Sequence, residues 1–224
     1  MKKETTMKKL ILIAGCSVAL AMSQVAVADY IEVGFQRLTT TSGYDVSSQL
    51  RMEVAVDEDA QTVGFKFFND VGISSVISEI YFDDGMLKEK PAIATSGGDV
   101  EYVQGATPEN LPGGENLDPD FKADIIFSAE PDNPEPHHGV RERGQWVQLT
   151  YGLGEFKDLD AVVSALANGD LRVGLHVTAI NGNDSDSYIN SRPLPPMSIP
   201  DSGLTAMLLG VGMVVLGFVA KRKA

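Results

Sequence analysis

Glu79, Tyr81 and Asp83 alternate along one short stretch, so as a β-strand they would share a single face. An aromatic ring between two carboxylates can stack on a sugar and accept hydrogen bonds from its hydroxyls. The same two carboxylates could instead serve as the acid and nucleophile of a glycosidase. Residues two apart on a strand lie about 7 Å from each other, within the range such a pair needs. A second oxygen-rich run, Asn181-Gly182-Asn183-Asp184-Ser185-Asp186, offers Asn181, Asn183, Asp184 and Asp186 as calcium ligands. It lacks the spacing and terminal Glu of an EF-hand, and the bland alternative is an Asx-rich turn that needs no ion.

Other chemistry is sparse. No Gly-x-Ser-x-Gly elbow or His-Glu-x-x-His helix occurs. The three histidines are His137, His138 and His176; the first two are adjacent and diverge on an extended chain, and the third falls on the outward side of its strand. The only cysteine, Cys16, lies in a segment expected to be removed. No disulfide can then form, and no cofactor is called for beyond the calcium considered above.

These residues need a scaffold, and the hydrophobic pattern predicts a β-rich one. Ile31, Val33 and Phe35 alternate, as do Leu50, Met52, Val54 and Val56, then Val63, Phe65 and Phe67 after an acidic break at Asp57-Glu58-Asp59. That break reads as a hairpin turn. Further stripes are Val76, Ser78, Ile80 and Phe82; Phe121, Ala123, Ile125 and Phe127; Val147, Leu149 and Tyr151; and, as the last clear strand, Leu171, Val173, Leu175 and Val177. One helix interrupts them, capped by Asp158, with Leu159, Val162, Val163 and Leu166 at helical spacing and a stop at Asn168-Gly169. Residues 106–119 and 131–144, rich in Pro and Gly, are expected as long surface loops. Seven or eight short strands predict an all-β fold, an antiparallel β-sandwich of jelly-roll type with one short helix.

Both ends of the chain carry addresses. Lys8 and Lys9 precede an apolar run from Leu10 to Met22, and Ala26-Val27-Ala28 provides small residues for signal peptidase, with cleavage before Asp29. Thirteen apolar residues make a helix of about 20 Å, too short for a stable membrane crossing. Ile13-Ala14-Gly15-Cys16 offers a competing lipobox reading, and Met7 is an alternative start to Met1. At the other end Leu204 to Ala220 forms an apolar stretch of 17 residues, followed by Lys221-Arg222-Lys223. That pattern predicts a transmembrane helix with its basic end in the cytoplasm and the body outside. Between Asp29 and Pro200 there are 11 basic residues against 29 acidic ones, a net charge of −18, which excludes nucleic acid as a partner.

Ahead of the apolar stretch stands Ile199-Pro200-Asp201-Ser202-Gly203. With the Gly-rich helix and short basic tail, it resembles the VPDSG-CTERM sorting signal, a relative of PEP-CTERM, with Ile199 for the usual Val. The resemblance covers Ser198 to Ala224 and implies recognition by an exosortase, removal of the tail and delivery to the cell surface or exterior. Pro200 and Gly203 would keep the segment extended at the membrane face, as a processing enzyme requires. An LPxTG-like sortase motif and a plain permanent anchor remain rival readings. Ile77 to Gly85 and Ala106-Thr107-Pro108 also resemble ectodomains joined to PEP-CTERM tails, which brings no activity with it.

The expected plan is therefore residues 1–28 as signal helix, 29–191 as β-sandwich ectodomain, and 192–203 as Pro-rich spacer and sorting motif. Residues 204–220 follow as transmembrane helix and 221–224 as basic tail. The function expected is that of a non-enzymatic envelope or matrix protein whose partners are signal peptidase, exosortase and the membrane. The alternatives are an exopolysaccharide-binding module and a carboxylate-dependent glycoside hydrolase.

Overall fold

A computed structural model describes residues 30–84, 86–132 and 137–191. The signal segment, the sorting motif and the apolar C-terminal stretch lie outside the described residues. Among those residues no helix is long and apolar enough to cross a membrane.

Ten strands follow in chain order: β1 Tyr30–Arg37, β2 Leu50–Asp57, β3 Thr62–Asn69, β4 Val76–Asp84, β5 Lys88–Thr95, β6 Tyr102–Gln104, β7 Ala129–Pro131, β8 Trp146–Gly152, β9 Leu171–Ile180 and β10 Asp184–Asn190. All pairings are antiparallel, in the order β5-β8-β3-β2-β1-β10-β9-β4-β7-β6. β1 serves both halves of this sheet. Tyr30 to Gly34 pair with β2, while Phe35 to Arg37 pair with β10. The sheet folds back on itself there, and its edge strands β5 and β6 come close enough that it nearly closes into a barrel. The expected antiparallel β architecture with one helix is present.

Period-two patterning explains the interior. Ile31, Val33, Met52, Val54, Val63, Phe65, Leu149, Val173 and Leu175 all point inward and are buried. Phe82 of β4 meets Phe65 of β3 and Tyr151 of β8 edge-on, each at a ring-centroid distance of 5.0 Å, across the space between the two halves. Each such side chain contributes about 1.5–3 kcal/mol by leaving water. The helix α1, Leu159–Asn168, begins where Asp158 accepts the Ala161 N–H at 2.9 Å and ends at Gly169, whose φ of 83° suits a residue without Cβ. It buries Val162, Ala165 and Leu166 and packs against β9.

The structure corrects three expectations. Residues 121–127 form no strand: Asp124 accepts the Ile126 N–H at 3.0 Å and winds Ile125–Phe127 into a 3-10 turn, leaving Ile125 43% and Ile126 49% exposed. β9 is not last, because the polar run after it forms β10. Residues 106–121 do not simply skirt the surface. Ala106, Leu111 and Phe121 are buried over the outer side of β4 and β10, in a small second core with Tyr81 and Ile189. Gly174 of β9 makes room for this strap, since a Cβ there would sit 2.7 Å from Leu111 Cδ2.

Candidate functional site

The structure uses up the trio on β4. A bulge between Ile77 and Glu79 shifts the alternation, so Ile77 joins Ile80 and Phe82 in the main core. Ser78 instead lies 2.5 Å from the Thr178 hydroxyl. Glu79 is 3% exposed and its Oε2 lies 2.6 Å from His176 Nδ1. Tyr81 is wholly buried beneath the strap, its hydroxyl donating to the Pro108 carbonyl at 3.0 Å. Asp83 pairs with Arg172 and accepts the Lys122 N–H at 3.0 Å. A ring that stacks on sugar must be open to solvent, and a glycosidase pair needs two carboxyls that substrate can reach, which the buried Glu79 does not offer. This arrangement supports neither reading of Glu79, Tyr81 and Asp83.

The calcium ligand set does not converge either. Asn181 and Asn183 lie exposed in the β9–β10 turn with Asp184 at the strand's start. Asp186, two residues on, points inward and accepts from Arg37 Nη2 at 2.6 Å, Thr39 Oγ1 at 2.9 Å, Thr41 N at 2.7 Å and Ser42 N at 3.1 Å. Those donors occupy its oxygens. Among the described residues no group of three or more His, Cys, Asp or Glu side chains is placed to hold a metal. The histidines are scattered too. His137 lies beside Arg141 at 3.5 Å, His138 is 3.8 Å from Glu101, and His176 belongs to Glu79. The cleavage residues Ala26, Ala28 and Asp29 and the motif Ile199, Pro200, Asp201, Ser202 and Gly203 lie outside the described residues.

A different constellation comes together on the outer side of β2, β3 and β8. The inward positions of these strands are apolar, so the residues between them face out. Strand register then sets Arg51, Phe68 and Trp146 in one row, and Glu53, Lys66 and Gln148 in the next. The third row is Ala55, Gly64 and Thr150. Arg51 Cζ stands 3.7 Å from the Phe68 ring centroid, and Lys66 Nζ stands 4.1 Å from that of Trp146 and 5.4 Å from that of Phe68.

The cations on this face differ in their partners. Arg51 meets Glu53 at 2.6 Å, Asp70 at 3.0 Å and Glu32 at 3.8 Å. Burial alone would lower its pKa, but hydrogen bonds and charge from Glu53 and Asp70 outweigh that and raise it. The Lys66 ammonium makes no hydrogen bond or ion pair among the described residues; it rests on the rings. Next to Arg51 lies a shallow polar depression of about 410 Å³, lined among others by Glu32, Gly34, Ser48 and Asp70. The outward positions of Lys66 and Trp146 follow from the alternation of β3 and β8. That they are neighbours requires the pairing of strands almost 80 residues apart in sequence.

Comparison of the chain with family models, curated proteins and solved structures finds no match.

Proposed function

We propose that this chain is an exported cell-envelope or extracellular-matrix protein with a non-catalytic β body, cleaved by signal peptidase at its N-terminal side and by an exosortase at its C-terminal side. The observation that supports this reading is that the described β body lies between the two signals read from the sequence. The first described strand, β1 from Tyr30, lies on the mature side of the expected cleavage position. β10 ends at Asn190, and Ser191 N–H then donates to the Gly34 carbonyl of β1 at 2.9 Å. The ten described strands thus all lie between the two expected cuts.

The body itself fits a jelly-roll-like sandwich. Successive strands β3 and β4 lie in opposite halves of the sheet and pair with β8 and β9, which make the same crossing. In the precursor the C-terminal helix would hold this body outside the inner membrane, with the basic tail in the cytoplasm.

Mass spectrometry of the protein recovered from its native host tests the proposal. The expected product starts at Asp29 and has lost the tail beyond the sorting motif. Replacing Pro200 and Asp201 should leave unprocessed precursor in the inner membrane. A native C-terminus at Ala224 would establish a permanent anchor and overturn processing.

A further inference from the structure

We infer that the outer face of β2, β3 and β8 is a binding platform for a neutral polysaccharide, centred on Trp146 and Lys66. Trp146 is the only tryptophan of the chain, and it stands on the outside of its strand while Val147, Leu149 and Tyr151 fill the core. Trp146 is half-buried as a residue, neither enclosed in the core nor fully exposed, and Lys66 rests on its ring at 4.1 Å and limits its orientation. Sugar C–H groups pack on such a ring, and an oriented aromatic side chain costs little entropy to use.

The polar groups around it suit hydroxyls. The Lys66 ammonium has three donors and no hydrogen-bonding partner among the described residues. Gln148 and Thr150 follow on β8, joined by a 3.2 Å hydrogen bond from Gln148 Nε2 to Thr150 Oγ1, and both retain acceptor capacity. Gly64 lies under the Gln148 amide and leaves the third row low, so an extended chain could lie across the three strands. Neighbouring strands are about 4.8 Å apart, close to the length of one sugar unit.

Charge decides between polymers. Arg51 is already matched by Glu32, Glu53 and Asp70, so carboxylates outnumber cations on this patch. The body as a whole carries −18. A polyanion would be repelled, whereas an uncharged chain meets only donors, acceptors and an aromatic surface.

The single tryptophan makes the test direct. The full chain, purified in detergent, is titrated with mixed-linkage β-glucan, galactomannan and dextran, and with polygalacturonate as the charged comparison. Tryptophan emission is read alongside affinity electrophoresis in gels that contain each polymer. Saturable emission change and retardation are expected with at least one neutral polymer. Retardation should weaken about tenfold in Trp146→Ala and Lys66→Met, and less in Trp146→Phe, with circular dichroism confirming that each variant is folded. The inference is overturned if no neutral polymer retards the protein or changes its emission. Unchanged retardation of a folded Trp146→Ala, or stronger retardation by polygalacturonate, overturns it as well. None of these readings depends on whether the chain is processed in the cell.

Discussion

Arg37 and Asp186, 149 residues apart in sequence, meet at 2.6 Å in the interior edge between β1 and β10. The carboxylate is wholly buried and also collects the N–H groups of Thr41 and Ser42 and the Thr39 hydroxyl. One aspartate therefore closes the loop after β1 onto the strand that completes the body. A buried charge of this kind is tolerated only with its donors in place.

Asp186→Ala should lower stability by about 3–5 kcal/mol, read from the urea unfolding midpoint, because it strands the Arg37 charge. Arg37→Met together with Asp186→Leu should recover only part of that, since the Thr41 and Ser42 N–H groups still lose their acceptor. Calcium has no vacant oxygen to claim on Asp186, so the wild-type midpoint should be the same in millimolar calcium as in EDTA. A rise with calcium would reopen the turn as a metal site.

Tyr188 makes the body sensitive to alkali. Burial raises its pKa above the usual tyrosine value, although the Val46 N–H, 3.3 Å away, works in the opposite direction. The folded state thus keeps a proton that the unfolded chain releases. The stability from this group is whole below the unfolded pKa of about 10 and is lost as pH rises from there through the folded value. Tyr188→Phe should cost about 1 kcal/mol at neutral pH through the lost acceptor. It should also show a shallower alkaline decline; parallel curves for the two proteins would assign that decline to another group.

The strap over the outer side of β4 depends on Leu111 and Gly174. Leu111→Ala empties a buried site and should cost about 2–5 kcal/mol. Gly174→Ala pushes against the same side chain and should cost about 1–3 kcal/mol. Because the new methyl of one occupies space vacated by the other, the double variant should lose less than the two single losses added together. Strict additivity in a double-mutant cycle would show that Leu111 moves independently of β9.

Glu79, His176 and Ser187 stand in one row on β4, β9 and β10, the residue types of a nucleophilic triad. The geometry does not complete one. Ser187 is wholly buried and its hydroxyl has no hydrogen-bond partner among the described residues. Ser187→Ala should therefore be neutral or slightly stabilising, and the protein should not react with a fluorophosphonate probe. His176→Ala removes the partner of a buried carboxylate and should cost on the order of 1–3 kcal/mol. Labelling at Ser187 would contradict a non-catalytic body.

Much of the scaffold was legible because it is written in local alternation. The stripes at Ile31, Leu50, Val63, Val147 and Leu171 each became a strand with the expected face inward, and the Asp158 cap and Gly169 stop bound the helix. β5 escaped notice because an edge strand can carry Lys88, Glu89, Lys90 and Pro91, which blunt pairing with other chains but erase the apolar stripe. β10 begins Asp184-Ser185-Asp186-Ser187, a run that resembles a turn until Arg37 supplies the counter-charge from far away.

The sequence by itself determined which side of most strands faces the core, where the helix starts and stops, and the expectation of export and sorting carried by the two ends. These rest on patterns a few residues long, set by the two-residue period of a strand and by the chemistry of caps and turns. Only the tertiary structure decided what lies opposite each outward side chain. Tyr81 was expected on an outer face and is on one, yet a strap some 30 residues downstream covers it. Trp146 and Lys66 also face outward, and there the register of β3 with β8 leaves a cation resting on a half-buried aromatic residue. Alternation specifies a direction, whereas burial and partnership depend on contacts between distant segments that no local pattern encodes.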